Sequence, residues 1–275
     1  MRRSRSTCVS LLVIGLLTVG CTAGSEPPAE PAATAEPEPL SVLDHPARSE
    51  DDHYRDAGFK PLEVYGFFDI GPGMTVGDLW PGGGYNTAIL AQLVGDTGRV
   101  VAILSPAPAE PDRAARSLER FSGRLDPYGF TNLEIAADPT QVPEDTFDVL
   151  LTVRNYHDLG EAPDRLAALP AFMRILKPGG IFAVVDAQTD KPDERDEPVH
   201  RINDELSRRE ITSAGFEFIE ASDVLVNTAD TYGFDGRERA GEDPVAWRAT
   251  GEEADAPIHR YYLHRFVHKY RKPMQ

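Results

Sequence analysis

Residues 74–85, Met-Thr-Val-Gly-Asp-Leu-Trp-Pro-Gly-Gly-Gly-Tyr, decide the fold of this chain. The apolar and β-branched residues at the start of this segment predict a strand that runs into Asp78. Three glycines follow at Gly82–Gly84, and the apolar pattern of residues 85–94 predicts a helix. A strand–glycine–helix unit lets the backbone approach a ligand closely, because glycine has no Cβ. Open α/β sheets bind ligands at the carboxyl ends of their strands, so the segment predicts a small-molecule site on an α/β fold.

The spacing of the glycines narrows the choice of ligand. The turn lacks the G-x-G-x-x-G spacing of dinucleotide-binding folds, and the Gly-Lys-Ser/Thr of a phosphate-binding loop does not follow it. It resembles motif I of class I S-adenosylmethionine (SAM) methyltransferases, acidic-x-Gly-x-Gly-x-Gly. Asp78, Gly82 and Gly84 match this motif, whereas Trp80 stands at the position of its first glycine. Taken alone, the turn fits an ordinary tight connection between a strand and a helix equally well.

The N-terminus predicts export. Residues 1–20 combine three arginines among the first five positions with an apolar run over residues 9–19, which is too short to span a bilayer comfortably. Residues 18–21, Thr-Val-Gly-Cys, resemble a bacterial lipobox, and this implies cleavage before Cys21 and lipidation of its thiol. The alternative is a plain secretory signal whose cysteine is incidental. Lipidation is the favoured hypothesis, with the protein on the periplasmic or extracytoplasmic face of the cell envelope.

Composition divides the remainder into a tether and one domain. Residues 21–46 are rich in Pro, Glu and Ala, which favours a disordered tether, and residues 47–275 are long enough for one domain with a sizeable core. With Cys8 removed and Cys21 lipidated, the domain has no cysteine for a disulfide or a Cys-zinc site. Loss of the three signal arginines takes the formal charge from −17 to −20. Such an acidic surface excludes nucleic acid as the expected partner.

Helices and strands alternate from residue 48 onward. The predicted strands cover residues 74–79, 100–104, 133–136, 147–153, 181–185, 216–221 and 259–268. The predicted helical segments cover residues 51–68, 85–94, 112–121, 162–176 and 197–214. This order predicts a doubly wound sheet that is mostly parallel, with an antiparallel edge strand and flanking helices. The resemblance implies that it is the Rossmann-like sheet of class I methyltransferases.

Further strings strengthen the resemblance to class I methyltransferases. Asp138 follows the third predicted strand, where the resemblance implies an acid that accepts the adenine amino group of SAM. The Leu-Lys-Pro-Gly-Gly turn at 176–180 resembles the one those enzymes place before strand five. Over about residues 50–235 the chain is similar to a subgroup of predicted, often exported methyltransferases with a Trp-Pro-Gly-Gly-Gly turn. The implied cofactor is SAM, and the implied cofactor-binding residues are Asp78, Trp80, Pro81, Gly82, Gly83, Gly84, Tyr85, Asp138 and Asn155.

Two positions depart from the family pattern. Class I enzymes usually end strand two with an acid that holds the ribose hydroxyls, and this place falls on Leu104. A buried ribose hydroxyl without a partner costs about 1–3 kcal/mol. Either Ser105, water or another loop replaces the acid, or SAM binds weakly. At the second position, the ring of Trp80 either packs against the ligand or fills the turn.

The best catalytic candidates follow the fourth strand. His157 and Asp158 leave its carboxyl end, on the ligand side of the sheet. A histidine base suits an acceptor that must lose a proton near neutral pH, and a carboxylate can orient its ring. Arg154, His200 and Arg201 are predicted to contact the substrate, with a solvated helix surface as the alternative for the last two. In the other interpretation, Arg154 and Asp158 brace the loop while His157 packs.

The late histidines do not predict a metal site. His259, His264 and His268 are spaced so that they lie on both faces of a strand, and no metal is expected there. Three functions remain open for the whole chain. The first is SAM-dependent methyl transfer to a small molecule by an anchored, exported lipoprotein. The second is a degenerate methyltransferase fold that binds a ligand or assists assembly without catalysis, and the third is a nucleotide-dependent oxidoreductase.

Overall fold

A computed structural model of the chain describes residues 41–104, 111–160, 162–192, 195–196, 200–230, 232 and 263–274. The predicted signal peptide, Cys21 and most of the predicted tether lie outside these residues, as do Ser105 and His259. Within the described part, no helix is both long enough and apolar enough to cross a membrane.

Six α-helices and nine strands make up the described chain. The helices are α1 (Glu50–Phe59), α2 (Pro61–Phe67), α3 (Tyr85–Val94), α4 (Pro111–Leu125), α5 (Ala162–Ile175) and α6 (Asp204–Ser213). The strands are β1 (Thr75–Leu79), β2 (Arg99–Ile103), β3 (Leu133–Ala136), β4 (Phe147–Val153), β5 (Leu176–Ala187), β6 (Arg195–Asp196), β7 (Arg201–Ile202), β8 (Glu217–Ser222) and β9 (Arg265–Arg271).

Seven of the strands form one sheet in the order β3-β2-β1-β4-β5-β9-β8. β1 to β5 are parallel to their neighbours, and β9 is antiparallel to both β5 and β8. This confirms the predicted doubly wound, mostly parallel sheet. The strand order reverses between β1 and β4, so the segments that follow these two strands meet at the switch point where such sheets bind ligands. β6 and β7 form a separate antiparallel pair.

The central strands of the sheet are mostly apolar and are buried on both faces. Five of the seven residues of β4 are fully buried, with Leu150 and Leu151 at 0% exposure. One face packs against α5 and α6 through residues such as Phe172 and Ile211, and the other packs against α2 and α3 through residues such as Val64 and Ile89. Each such side chain contributes about 1.5–3 kcal/mol through removal from water.

Several element boundaries differ from the prediction; for example, β5 begins at Leu176, where the end of a helix and a turn through Gly180 were predicted. In the segment predicted as one helix over residues 197–214, residues 197–199 lie outside the described residues and Arg201–Ile202 form strand β7. α6 starts only after Asn203, whose side chain accepts a hydrogen bond from the Leu206 amide at 3.0 Å. The last strand starts at Arg265 rather than 259, with residues 263–264 irregular and 259–262 outside the described residues. Residues 51–68 form two helices because Lys60 is left-handed (φ 43°) and Pro61 starts a new helix.

Candidate active site

The turn after β1 is held in a strained conformation. Trp80 has a left-handed backbone (φ 55°), which explains why the family motif has glycine at this position. The Trp80 amide donates to the Ile103 carbonyl at 2.8 Å. The Asn155 side chain, from the segment after β4, donates to the carbonyls of Leu79 and Trp80 at 3.0 and 3.1 Å. Asn155, predicted to bind cofactor, therefore braces the turn across the switch point.

Open space surrounds the glycines that follow. Gly82 and Gly83 are exposed, and a Cβ built on either one would meet nothing within 4 Å. Gly84 is different, because its Cβ would lie 3.3 Å from the side chain of Leu125. Gly84 is also left-handed (φ 85°) and caps the N-terminus of α3. The turn thus presents bare backbone next to a helix N-terminus, which is an arrangement that accommodates a polar ligand. Pro81 is buried behind it.

Asp78 supports this turn from inside the protein. Asp78 is 1% exposed, and its side chain accepts a hydrogen bond from Thr87 Oγ1 on α3 at 2.7 Å. Burial raises the pKa of Asp78 to about 7, although the Thr87 hydrogen bond acts in the opposite direction. The carboxyl group therefore ties β1 to α3 and does not face solvent.

The N-terminal helices clamp the start of α3. The hydroxyl of Tyr85 donates to Asp56 on α1 at 2.5 Å, and the guanidinium of Arg48 donates to the same oxygen at 2.5 Å. On α2, the Tyr65 hydroxyl donates to the side chain of Asn86 at 2.7 Å. Burial and the neighbouring Asp56 raise the pKa of Tyr85 above its ordinary value. Tyr85, predicted to bind cofactor, is thus engaged with α1, and its partners were not predicted from the sequence.

The two positions expected to hold adenosine differ in chemistry. Asp138 caps the short turn after β3, where its carboxylate accepts hydrogen bonds from both the hydroxyl and the amide of Thr140. These bonds lower the pKa of Asp138, so it is an anion that can still accept from a ligand. Leu104, at the end of β2, is half-buried, and its amide donates to the Ala136 carbonyl at 2.9 Å. Its side chain offers no acceptor for ribose hydroxyls.

A buried histidine–aspartate pair occupies the carboxyl ends of β4 and β5. His157 is 3% exposed, and its Nδ1 lies 2.8 Å from Oδ1 of Asp186, which is 0% exposed. The His157 amide donates to the other oxygen, Oδ2, at 2.9 Å. Burial acts to raise the pKa of Asp186, but attraction to His157 and these hydrogen bonds hold it below its usual range. The carboxylate that orients this imidazole is therefore Asp186, and not the adjacent Asp158.

The sequence analysis missed Asp186, although a signal was present. An acid that ends a continuous apolar strand, Ile-Phe-Ala-Val-Val-Asp at 181–186, is costly to bury unless it has a partner. Its position at the carboxyl end of a predicted central strand would have placed it beside the end of the preceding one. The residues at the ends of neighbouring predicted strands, considered together, therefore indicate Asp186 as a site residue.

Asp158 and His200 complete a cluster around His157. Asp158 Oδ1 lies 3.4 Å from His157 Nε2 and 3.8 Å from His200 Nδ1. The rings of His157 and His200 are 5.7 Å apart between centroids. His200 has a left-handed backbone (φ 52°) and an 18% exposed side chain. Three of the predicted catalytic and substrate residues, His157, Asp158 and His200, are thus brought together.

The two predicted substrate arginines are placed differently. Arg201 is 0% exposed, and its guanidinium forms two hydrogen bonds with Asp230 at 2.8 and 3.0 Å. The structure therefore places it in a buried ion pair instead of on a solvated helix surface. Arg154 is left-handed (φ 59°), and its amide donates to the Val185 carbonyl at 2.7 Å. Burial and the charge of Arg154 lower the pKa of Arg265 to about 9.

Two other features lie away from this edge of the sheet. His268 is buried between aromatic rings, with Nδ1 at 3.0 Å from the Tyr270 hydroxyl, and burial lowers its pKa to about 4. A cavity of about 390 Å³ lies beside Gly95 and Asp96, at the opposite end of α3 from the glycine turn. Neither contributes a group to the His157 cluster.

Comparison with known proteins identifies the domain type. Residues 78–184 match the family described as "Methyltransferase domain", which is less than half of the chain. The ubiquinone/menaquinone biosynthesis C-methyltransferase UbiE of Shewanella frigidimarina is 33% identical over 120 residues, which are 44% of this chain and 45% of that protein. The chain therefore spans about half the length of this curated relative. The predicted methyltransferase domain is confirmed over the matched residues.

Solved structures with similar folds cover more of the chain. A SAM-dependent methyltransferase from Aquifex aeolicus superimposes with a TM-score of 0.55 at 19% identity, covering 80% of this chain and 94% of that one. A second similar structure is the 1,6-didemethyltoxoflavin-N1-methyltransferase of Burkholderia thailandensis, solved with S-adenosylhomocysteine. Its TM-score is 0.51 at 15% identity, covering 82% of this chain and 81% of that one. The cyclase SpnF superimposes with a TM-score of 0.53 at 18% identity, covering 82% of this chain and 81% of that one. These likenesses confirm the class I methyltransferase fold.

Proposed function

We propose that this protein is a SAM-dependent methyltransferase that acts on a small-molecule acceptor. The observation that carries the proposal is the open glycine turn at the β1–β4 switch point, inside the segment that matches the methyltransferase family. Fold alone is insufficient support, because the cyclase SpnF has a similar fold. The proposal therefore depends on the residues of the site.

The described residues fit SAM at the turn and leave the ribose side to other groups. Gly82 and Gly83 offer backbone without a Cβ, and Asp138 offers an anionic acceptor at the end of β3. Asn155 and Asp78 act indirectly, since both stabilise the turn through hydrogen bonds. When bound, SAM supplies an electrophilic methyl group on a sulfonium. At Leu104, the ribose hydroxyls need water or a neighbouring loop as acceptor, so moderate affinity is expected.

The proposed acceptor region is the His157 cluster. A proton that leaves the acceptor would be taken by Nε2 of His157, because Asp186 engages the opposite ring nitrogen and fixes the tautomer. Asp186 also stabilises the imidazolium that results. Asp158 and His200 stand beside Nε2, where they can bind polar groups of the acceptor. Arg201 stabilises this region through Asp230 instead of contacting the acceptor.

We further propose that the enzyme works outside the cytoplasm as a lipid-anchored member of the exported subgroup with the Trp-Pro-Gly-Gly-Gly turn. The support is the basic and apolar N-terminus, the lipobox-like residues 18–21 and the Pro/Glu/Ala-rich tether. Labelling cells with radioactive palmitate should mark the wild-type protein and should not mark Cys21→Ser. A wild-type protein that stays unlabelled in the soluble fraction would refute the anchor.

Binding of SAM is tested by calorimetric titration of the mature chain with SAM and, as a check on the oxidoreductase alternative, NADH. Gly83→Val should abolish SAM binding without lowering the melting temperature, because the new side chain enters open space in the protein. Gly71→Val is the matched control. A Cβ there also meets nothing within 4 Å, but Gly71 precedes β1 and so lies at the opposite edge of the sheet.

The outcomes separate the functions. SAM binding that is lost in Gly83→Val and retained in Gly71→Val supports the site. Binding of SAM by both variants would place the cofactor elsewhere. Absence of SAM binding in the wild-type chain would refute the proposed function, and binding of NADH in its place would favour an oxidoreductase.

A further inference from the structure

Three side chains at the acceptor edge converge on one point. His157, Asp158 and His200 each offer one ligand atom, and these atoms all lie within 4.8 Å of one another. The set contains two imidazole nitrogens and one carboxylate, which are the ligand types of many zinc, iron, cobalt and manganese sites. The sequence offered no spacing motif for it, because His200 is more than forty residues away from His157 in the chain.

The distances between the three ligand atoms allow one ion to bind after a small movement of the side chains. Ligand atoms about 2.0–2.2 Å from one metal lie about 3.0–3.5 Å from each other in octahedral or tetrahedral geometry. Nε2 of His157 and Oδ1 of Asp158 are 3.4 Å apart, within this range. Nδ1 of His200 and the same oxygen are 3.8 Å apart, and the three ligand atoms all lie within 4.8 Å of one another, so the side chains must move closer by up to roughly 1 Å. Asp158 and His200 are both partly exposed, which leaves room for this shift.

The support behind His157 is an independent observation. Its Nδ1 faces the carboxylate of Asp186 at 2.8 Å, so in the neutral ring the proton resides on Nδ1 and the lone pair on Nε2. Metal-binding histidines almost always donate their second ring N–H to a carboxylate, carbonyl or water in this way. Asp186 is itself fixed by the amides of His157 and Ala187 at 2.9 and 2.7 Å. The ring is therefore oriented before any ion arrives.

We propose that His157, Asp158 and His200 bind one divalent transition-metal ion. Three protein ligands leave at least one coordination position for water or for the acceptor, as in catalytic rather than structural sites. With the ion bound, Nε2 of His157 would be a ligand instead of a base, and a hydroxyl of the acceptor at the open position would release its proton to solvent water more easily. This consequence rests on the proposed methyltransferase function, whereas binding of the ion does not.

The test is titration of tag-free, chelator-treated protein with zinc, cobalt or manganese salts, without SAM. The background carries Cys21→Ser, because an unlipidated thiol would bind zinc by itself. One equivalent of at least one of these ions should bind and should raise the melting temperature, by an amount that increases with the logarithm of the ion's affinity. His200→Gln and Asp158→Asn should each weaken binding at least tenfold. Asp186→Asn should weaken it about 10–100-fold through the orientation of His157.

His53→Gln is the matched control, since His53 is a half-exposed histidine on α1 outside the cluster. It should bind the ion like the parent protein. The proposal is overturned if none of the three ions binds stoichiometrically, or if His200→Gln and Asp158→Asn bind as tightly as His53→Gln. SAM titration of the same preparation separates the two proposals. Loss of SAM binding with retained ion binding refutes the proposed function alone.

Discussion

The protonation of Asp78 gives the sharpest test of how the glycine turn is held. Burial raises its pKa to about 7 in the folded protein, from 3.8 for the unperturbed group. Folding therefore favours the protonated form. The resulting stability is fully present below about pH 4, declines as the pH rises, and is lost once the pH has passed about 7.

The size of the effect follows from these two values. A difference of about three pKa units corresponds to about 4 kcal/mol in total, and roughly 2.5 kcal/mol of this falls between pH 5 and pH 8. Asp78→Asn removes the titration while its amide oxygen still accepts the hydrogen bond of Thr87. We expect the free energy of unfolding of Asp78→Asn, relative to wild type, to rise by roughly 2.5 kcal/mol between pH 5 and pH 8.

Urea unfolding at pH 5, 6, 7 and 8 measures this difference, and groups that titrate equally in both proteins cancel. Asp96→Asn is the control, because Asp96 is an exposed acid at the other end of α3. The difference in free energy of unfolding between Asp96→Asn and wild type should change little with pH. A pH-independent difference for Asp78→Asn would refute the reasoning, since it would mean that Asp78 is ionised in the folded protein across this range.

Four further predictions follow from the structure. Trp80→Gly should be about 1 kcal/mol more stable than Trp80→Ala, because only alanine keeps a Cβ at φ 55°; equal urea midpoints would show no strain. Asp230→Ala should lower the free energy of unfolding by about 3–5 kcal/mol in urea titrations, since it removes the carboxylate that accepts two hydrogen bonds from the buried Arg201 guanidinium, and a loss under 1 kcal/mol would contradict this. His157→Gln should retain SAM binding and lower turnover by about 10²–10⁴-fold once an acceptor is found; full turnover would exclude it from catalysis. Limited proteolysis should trim residues 22–40 without changing the melting temperature, and protection of that segment would count against a tether. Cleavage should stop there, because Val42 and Leu43 pack against the core.

The central sheet could be predicted because local composition determines it. β4 lies at the predicted residues, because its near-continuous apolar run is typical of a strand buried on both faces. β3 also lies at the predicted residues, although it is an edge strand whose two middle residues are exposed. The segment from 197 was harder to assign. Arg201 and Ile202 pair with β6 in a two-residue strand, and so short a pairing leaves no periodic pattern in the sequence. Helix α6 then begins at a recognisable cap, Asn203.

The sequence predicted where the residues of the candidate site lie, but not which residues they pair with. Residues that leave the carboxyl ends of β1 and β4 were expected to meet, and Asn155 does reach the turn, from 76 residues away in sequence, to hydrogen-bond Leu79. The carboxylates that matter most, Asp186 and Asp230, belong to pairs formed only when distant strands align. Each lies 29 residues from its partner in sequence. Sequence spacing carries no information on such pairs, because the intervening elements determine the geometry.

Backbone strain marks the same edge independently of any family likeness. Trp80, Arg154 and His200 all have left-handed backbones, a conformation that costs a side-chain-bearing residue about 1 kcal/mol or more. Glycine at each position would relieve the strain, so stability alone does not account for these residues. Trp80 and Arg154 directly follow β1 and β4, and His200 contacts the cluster behind them. Strained residues are frequent at functional sites but not confined to them, since Lys60 is also left-handed; Trp80, Arg154 and His200 flank both the open glycine turn and the proposed ion site.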